Sequence, residues 1–135
     1  MSDLAVFDSS VLVDHLRTNC HAGRIASLGC EVRYSAVVLA ELWRGVRTEA
    51  ERHVLAIFEL SSPLLTPSGA DWIDSGRILG AIRKRRGYEA IKLRDLHFDV
   101  LIALAARSAS AKLITSNRAD FEMIREFVDF RLEIW

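Results

Sequence analysis

The chain has 135 residues, half of them hydrophobic, and its eighteen Lys and Arg balance eighteen Asp and Glu for a net charge of zero. That is enough apolar material for one core and a single domain over 1–135, which excludes disordered and fibrous classes. The balance also means that any nucleic-acid or membrane partner must be met by local clusters rather than by a global field.

The N-terminal "MSDLAVFDSS" has an acid near its start and an apolar run too short for a signal peptide. No segment approaches the about 18 uninterrupted apolar residues of a spanning helix. The expectation is a soluble cytoplasmic protein with no membrane contact. Cys20 and Cys30 stand in no zinc-ligand pattern and are expected as free thiols.

In chain order, "LAVF" (4–7) is a continuous apolar run of strand length, as in a strand covered on both faces. "SSVLVDHLR" (9–17) starts a helix with Ser9 or Ser10 as cap. "CEVRYS" (30–35) is a second strand, and Ser35 can cap the helix "AVVLAELWRG", which Gly45 ends. A charged helix follows through "TEAERHVLAIFEL" (48–60), and "SSPLLTPSG" (61–69) breaks the pattern. In the next helix Trp72, Gly76, Leu79 and Ile82 recur three and four apart, which predicts a buried stripe fading into "RKRRG" (83–87). A further helix is expected to begin near Asp95 and to carry "FDVLIALAARS" (98–108). "KLITS" (112–116) is a third strand, 117–127 a loop and short helix, and "FRLEIW" (130–135) a last strand. Strands separated by helices predict a mostly parallel sheet with helices on both faces.

In such a sheet, ligands gather beyond the carboxyl ends of the strands, where Asp8 falls. Glu41 shares a helix face with Val37, Val38 and Gly45, where a carboxylate is costly unless paired. Asp99 shares a face with Ile102, Ala103 and Ala106, with Asp95 one turn earlier as an outer acid or cap. Asp120 follows the third strand, beside Thr115, Ser116 and Asn117. Asp14, six residues after Asp8, is placed around the first helix on a solvated face. Converging carboxylates raise one another's pKa until protons or cations neutralise them, and Mg²⁺ or Mn²⁺ suits an all-oxygen set. A site without His or Cys ligands favours phosphoryl chemistry, a nuclease or a phosphatase. A phosphorelay receiver wants a second acid beside Asp8, where Ser9 and Ser10 stand, and a dinucleotide fold wants a Gly-rich loop that is missing. Of the four histidines only His97, two residues before Asp99, lies near the site, and a structural hydrogen bond is its expected role.

The ordered motifs "VFDSSVLVD", "SAVVLAELWRGV", "FDVLIALAA" and "LITSNRADF" resemble those of the PIN-domain ribonucleases, and most closely the VapC-type toxins of toxin–antitoxin pairs. The resemblance implies a PIN-like three-layer α/β sandwich with a mostly parallel sheet of four to five strands. It implies Mg²⁺, with Mn²⁺ as substitute, bound at Asp8, Glu41, Asp99 and Asp120 as the catalytic acids, with Ser10, Thr115, Asn117 and Asp95 in support. It implies endonucleolytic cleavage of RNA by water attack at phosphorus. The competing expectation is a PIN-like adaptor that binds RNA or protein without catalysis.

For partners, "RKRRGYEAIKLR" (83–94) offers Arg83, Lys84, Arg85 and Arg86 to RNA phosphates and Tyr88 to a base. Trp43, with Leu42, Val46 and the "HVLAIFEL" helix, offers an apolar surface. By the resemblance that surface receives an antitoxin, with Trp43 marked for the contact, in a homodimer or a toxin–antitoxin hetero-oligomer.

Overall fold

The computed structural model describes residues 3–61 and 63–135; Met1, Ser2 and Ser62, the last inside the predicted break, lie outside the described residues. The elements run β1 (Leu4–Phe7), α1 (Ser9–Thr18), α2 (Ala22–Ala26), β2 (Glu31–Arg33), α3 (Ala36–Arg44), α4 (Glu49–Glu59), α5 (Gly69–Arg86), α6 (Ala90–Ser108), β3 (Lys112–Thr115), α7 (Arg118–Arg125) and β4 (Leu132–Ile134). The four strands pair in parallel in the order β2-β1-β3-β4, with Val6 opposite Arg33 on one side and Leu113 on the other. The sheet is thus wholly parallel and four-stranded, the α/β architecture expected.

The order places a switch point at its centre. From β1 the chain crosses outward to β2, and it returns to the opposite side of β1 as β3. Crossovers that diverge from neighbouring strands leave a crevice at their carboxyl ends, between Phe7 and Thr115. The central strands are apolar because both faces are covered: Ala5, Val6, Phe7, Leu113 and Ile114 are all buried. Helix α6 crosses the core with Val100 through Ala106 buried, the small alanines allowing close approach to the sheet.

Ser35 caps α3 as expected, its hydroxyl accepting from the Val38 N–H at 3.2 Å, and Gly45 ends that helix. Thr48 caps α4 by accepting from the Glu51 N–H at 3.1 Å. Other expectations need correction. The α1 cap is Asp8, not Ser9 or Ser10; both serines lie inside the helix, and the Asp8 side chain makes no cap bond because it is held elsewhere. The strand expected over 30–35 is reduced to β2, since Tyr34 and Ser35 peel away to bridge Leu65, whose N–H donates to the Tyr34 carbonyl at 2.9 Å.

The C-terminal half of the expected α5 stripe is inward, with Ile82 buried and Leu79 packed against the core, but in the first two turns the inward face lies one residue earlier than expected. Asp71, Ser75 and Ile82 are buried, whereas Trp72 is 50% exposed. A capping box with Ser68 fixes Asp71 at the helix start, and Ser108 donates to it from α6, so this face turns inward. Helix α6 begins at Ala90 rather than near Asp95. Gly87, at φ +67°, closes α5 in the left-handed conformation, and two residues later Glu89 is the α6 cap. Asp95 therefore sits inside α6 and caps nothing. Cys20 and Cys30 are free thiols, and no helix among the described residues is long and apolar enough to cross a membrane.

Candidate active site: an acidic cleft at the switch point

Three carboxylates from distant parts of the chain line one open cleft of about 550 Å³ at the carboxyl ends of β1 and β3: Asp8, Glu41 from α3 and Asp99 from α6. Ser10 and Asn117 also line it, as do Asp14 and Asp95. Asp14 is exposed, as expected of a solvated face, but the turn of α1 that carries it still brings it to the lining of the cleft. Asp95 is exposed beside Arg94.

Asp8 is the most rigidly held of these acids. It is 3% exposed, and its Oδ2 accepts from Ser10 Oγ and from Thr115 Oγ1, each at 2.8 Å. Thr115 in turn accepts from the Asn117 N–H at 3.0 Å, and Ser10 from the Ser116 N–H at 3.2 Å, so the turn after β3 is tied to the turn after β1. Ser10 is thus a member of the site rather than a helix cap. Both hydroxyls converge on Oδ2, which leaves Oδ1 turned to no donor among the described residues.

Glu41 and Asp99 carry the electrostatic strain. Burial, and then the charge of Asp8, push the Glu41 carboxyl up to about 7, against a smaller pull from Arg44 and the Ser9 hydroxyl. Its Oε1 is buried with no hydrogen-bond partner. Burial raises Asp99 to about 8, with Asp8, Glu41 and Asp120 adding to the rise and Lys92 opposing it. Around neutral pH these acids share protons instead of bearing full charge.

Asp120 stands beside the cleft, in the first turn of α7, rather than on its lining. Its oxygens accept from Lys92 Nζ at 3.0 Å and Asn117 Nδ2 at 3.2 Å. Among the described residues no three acidic, His or Cys side chains already stand around one metal position. The donor set fits a hard divalent cation: all oxygens, an unpartnered buried Glu41 Oε1, an Asp8 Oδ1 without a donor among the described residues, and two acids raised by burial and then by neighbouring carboxylates. His97 is occupied elsewhere, with Ser75 Oγ at 2.9 Å from its Nε2 and the Trp72 ring edge-on to it.

The residue that sequence reasoning missed is Lys92, counted only within a basic run. It lies seven residues before Asp99, two helical turns away on the same face. That spacing would have found it had α6 been started at Ala90. The basic cluster itself is partly committed: Arg86 pairs with Glu126 and Arg85 lies over the Phe127 ring, while Arg83 and Lys84 are exposed.

An apolar groove of about 250 Å³ adjoins the cleft, with Ser9, Val13 and Glu41 common to both. Leu16, Leu42, Val46 and Leu55 supply its apolar wall, with Arg17 and Arg44 at its edges. Trp43, expected at this surface, is not among its lining residues; its indole N–H donates to Glu59 on α4.

Fold and cleft together define a parallel α/β domain with an acidic, oxygen-lined site at the switch point of its sheet. The family model for the PIN domain matches residues 5–126, and the chain belongs to that family, the nuclease class its ordered motifs resemble. A search of curated proteins returns no significant match. Solved structures with the same fold include VapBC-1 from nontypeable Haemophilus influenzae (TM-score 0.74, 21% identity, 98% of each chain covered). They include VapBC2 from Rickettsia felis bound to a promoter DNA fragment (TM-score 0.71, 21% identity, 98% of each chain). DNA-bound VapBC from Salmonella typhimurium is similar at TM-score 0.69 and 20% identity over 100% of this chain and 99% of that one.

Proposed function

We propose that this protein is a cytoplasmic, metal-dependent endoribonuclease, the toxin member of a toxin–antitoxin pair. The observation that carries the reading is the meeting of Asp8, Glu41 and Asp99 in one cleft, where two of them are raised to about 7 and 8. Asp8, Glu41 and Asp99 would hold Mg²⁺, or Mn²⁺ in its place, with Asp120 adding charge from the rim. Bound there, the ion supplies charge stabilisation for the oxygens of an in-line displacement at phosphorus.

The chain's own part is to position and to hold protons. Ser10 and Thr115 fix Asp8, so the cleft presents one preset oxygen to its contents. Water attacks the phosphodiester; its oxygen bonds to phosphorus as the bond from phosphorus to the 3′-oxygen breaks, leaving a 5′-phosphate and a 3′-hydroxyl. The proton that the water gives up passes to solvent, because Glu41 and Asp99 would hold the ion as carboxylates and would release their own protons to bind it. The 3′-oxygen takes its proton from solvent.

Single-stranded RNA would approach over Arg83 and Lys84 at the end of α5. Reversing both charges is expected to weaken RNA binding and lower its log–log salt slope by roughly 1.4, two phosphate contacts' worth, in filter-binding titrations. An unchanged slope would remove these residues from the path. The groove beside the cleft supports an antitoxin contact, because whatever fills it also reaches Glu41. The named VapBC structures are of complexes, in line with a homodimer or hetero-oligomer here.

The test is incubation of the purified protein, freed of partner, with total cellular RNA and Mg²⁺ or Mn²⁺, followed by sequencing of new 5′ ends. Discrete cuts by wild type that vanish in Asp8→Asn are expected. Cuts that persist in the variant refute the site, and no cuts with either metal favour the adaptor.

A further inference from the structure

Asp120 differs from the other three acids in what its oxygens do. Oδ1 accepts from Lys92 Nζ and Oδ2 from Asn117 Nδ2, while the Asn117 Oδ1 accepts from the Asp120 N–H at 3.3 Å. Asp8 concentrates its hydrogen bonds on one oxygen, and Glu41 keeps a buried oxygen without a partner. Two acids are thus left with a bare oxygen for a cation, and one is already neutralised by the protein's own cation.

Lys92 is placed to do more than anchor Asp120. Its ammonium lies 5.9 Å from the centre of the Tyr88 ring, a second electronegative neighbour, and its side chain is 42% exposed. It stands on the Asp99 face of α6, near enough that its charge and that of Asp99 act on each other. A compact, hydrated ammonium held by a carboxylate beside the acidic cleft supplies a fixed positive point charge next to its carboxylates.

We propose that Lys92, held by Asp120 and Tyr88, is the built-in second cation of this site and contacts the scissile phosphate, so that the cleft takes a single divalent ion. The inference rests on the metal-dependent reading above and adds to it a positioning role for Asp120 and a substrate-contacting role for Lys92.

The experiment is a Mn²⁺ titration followed by electron paramagnetic resonance on wild type, Lys92→Gln, Lys92→Arg, Asp120→Asn and Asp8→Asn, each checked for folding by circular dichroism. Wild type is expected to bind one Mn²⁺, lost in Asp8→Asn. Lys92→Gln frees Asp120 and is expected to bind two, with a spin–spin coupling absent from wild type, whereas Lys92→Arg and Asp120→Asn return to one. Two ions in wild type, or one in Lys92→Gln, overturns the proposal while leaving the nuclease reading intact. Absence of Asp8-dependent Mn²⁺ binding overturns both.

Discussion

Replacing Asp99 by asparagine is expected to stabilise the metal-free protein while abolishing cleavage. The Asp99 carboxyl is raised from about 3.8 to about 8, first by burial and then by Asp8, Glu41 and Asp120. Over that interval the folded state holds a proton that the unfolded state has released. Folding is therefore opposed more strongly as pH rises through the window, and above about 8 the full cost of the ionised side chain is present. Asparagine keeps the shape and removes the charge. At pH 8 the metal-free variant should gain about 1–3 kcal/mol, seen as a melting temperature higher by roughly 3–10 °C. Mn²⁺ should reverse the ranking. At a hundred times its Kd an ion adds about 2.7 kcal/mol to a protein that binds it only when folded, and the variant, short of a ligand, should gain little of this. Loss of one charge-stabilising group at the reacting centre should lower the cleavage rate at least about a hundredfold. A variant less stable than wild type without metal would show that Asp99 is a structural acid whose bonds outweigh its strain.

The parts of this site that were legible in the sequence are those marked by a conflict between residue type and position. Asp8 interrupts two apolar runs, Glu41 sits on the inner face of α3, and Asp99 opens the most apolar stretch of α6. Each conflict is visible from spacing alone, and the structure gathers all three. Ser35 and Thr48 were equally plain, because caps act within one turn. What was hidden depended on contacts between elements. Nothing local distinguishes Ser10 as a donor to Asp8 from Ser10 as a cap; Thr115, 105 residues away, decides it. The basic residues around Gly87 masked the spacing of Leu93, Leu96 and Val100, so the first turn of α6 and Lys92 with it went unassigned. The α5 stripe was misjudged because a tryptophan outweighs an aspartate in any hydrophobic count. The local capping box with Ser68 and a tertiary bond from Ser108 instead keep Asp71 inward and leave Trp72 half-exposed.

The second large effect is a reversal of pH dependence by metal. Without metal, melting temperature should fall between about pH 5 and pH 8, since Glu41 and Asp99 both bind protons more tightly in the folded state. The slope is at most about 1.4 kcal/mol per pH unit for each acid, and less for Glu41, which is partly open to solvent. The other displaced groups titrate outside this window. Glu133 is lowered from 4.5 by its hydrogen bonds with Lys112 and Trp135, and Tyr34 and Lys92 are raised from 10.0 and 10.5. With saturating Mn²⁺ the fall should flatten or invert, because the ion selects the deprotonated acids and discards their protons, so its affinity climbs as pH rises toward about 8. Calorimetric titration of Mn²⁺ in two buffers of different ionisation enthalpy counts those protons directly, and at pH 6.5 more than one should be released per ion. In Asp99→Asn the count should drop to that of Glu41 alone. A metal-free protein that grows more stable from pH 5.5 to 8.5, or an ion that binds without releasing protons, would mean that the acids are neither buried nor crowded together in solution. Lone solvated carboxylates on three separate elements would then replace the cleft as the picture of this surface, and the nuclease reading would lose the observation that carries it.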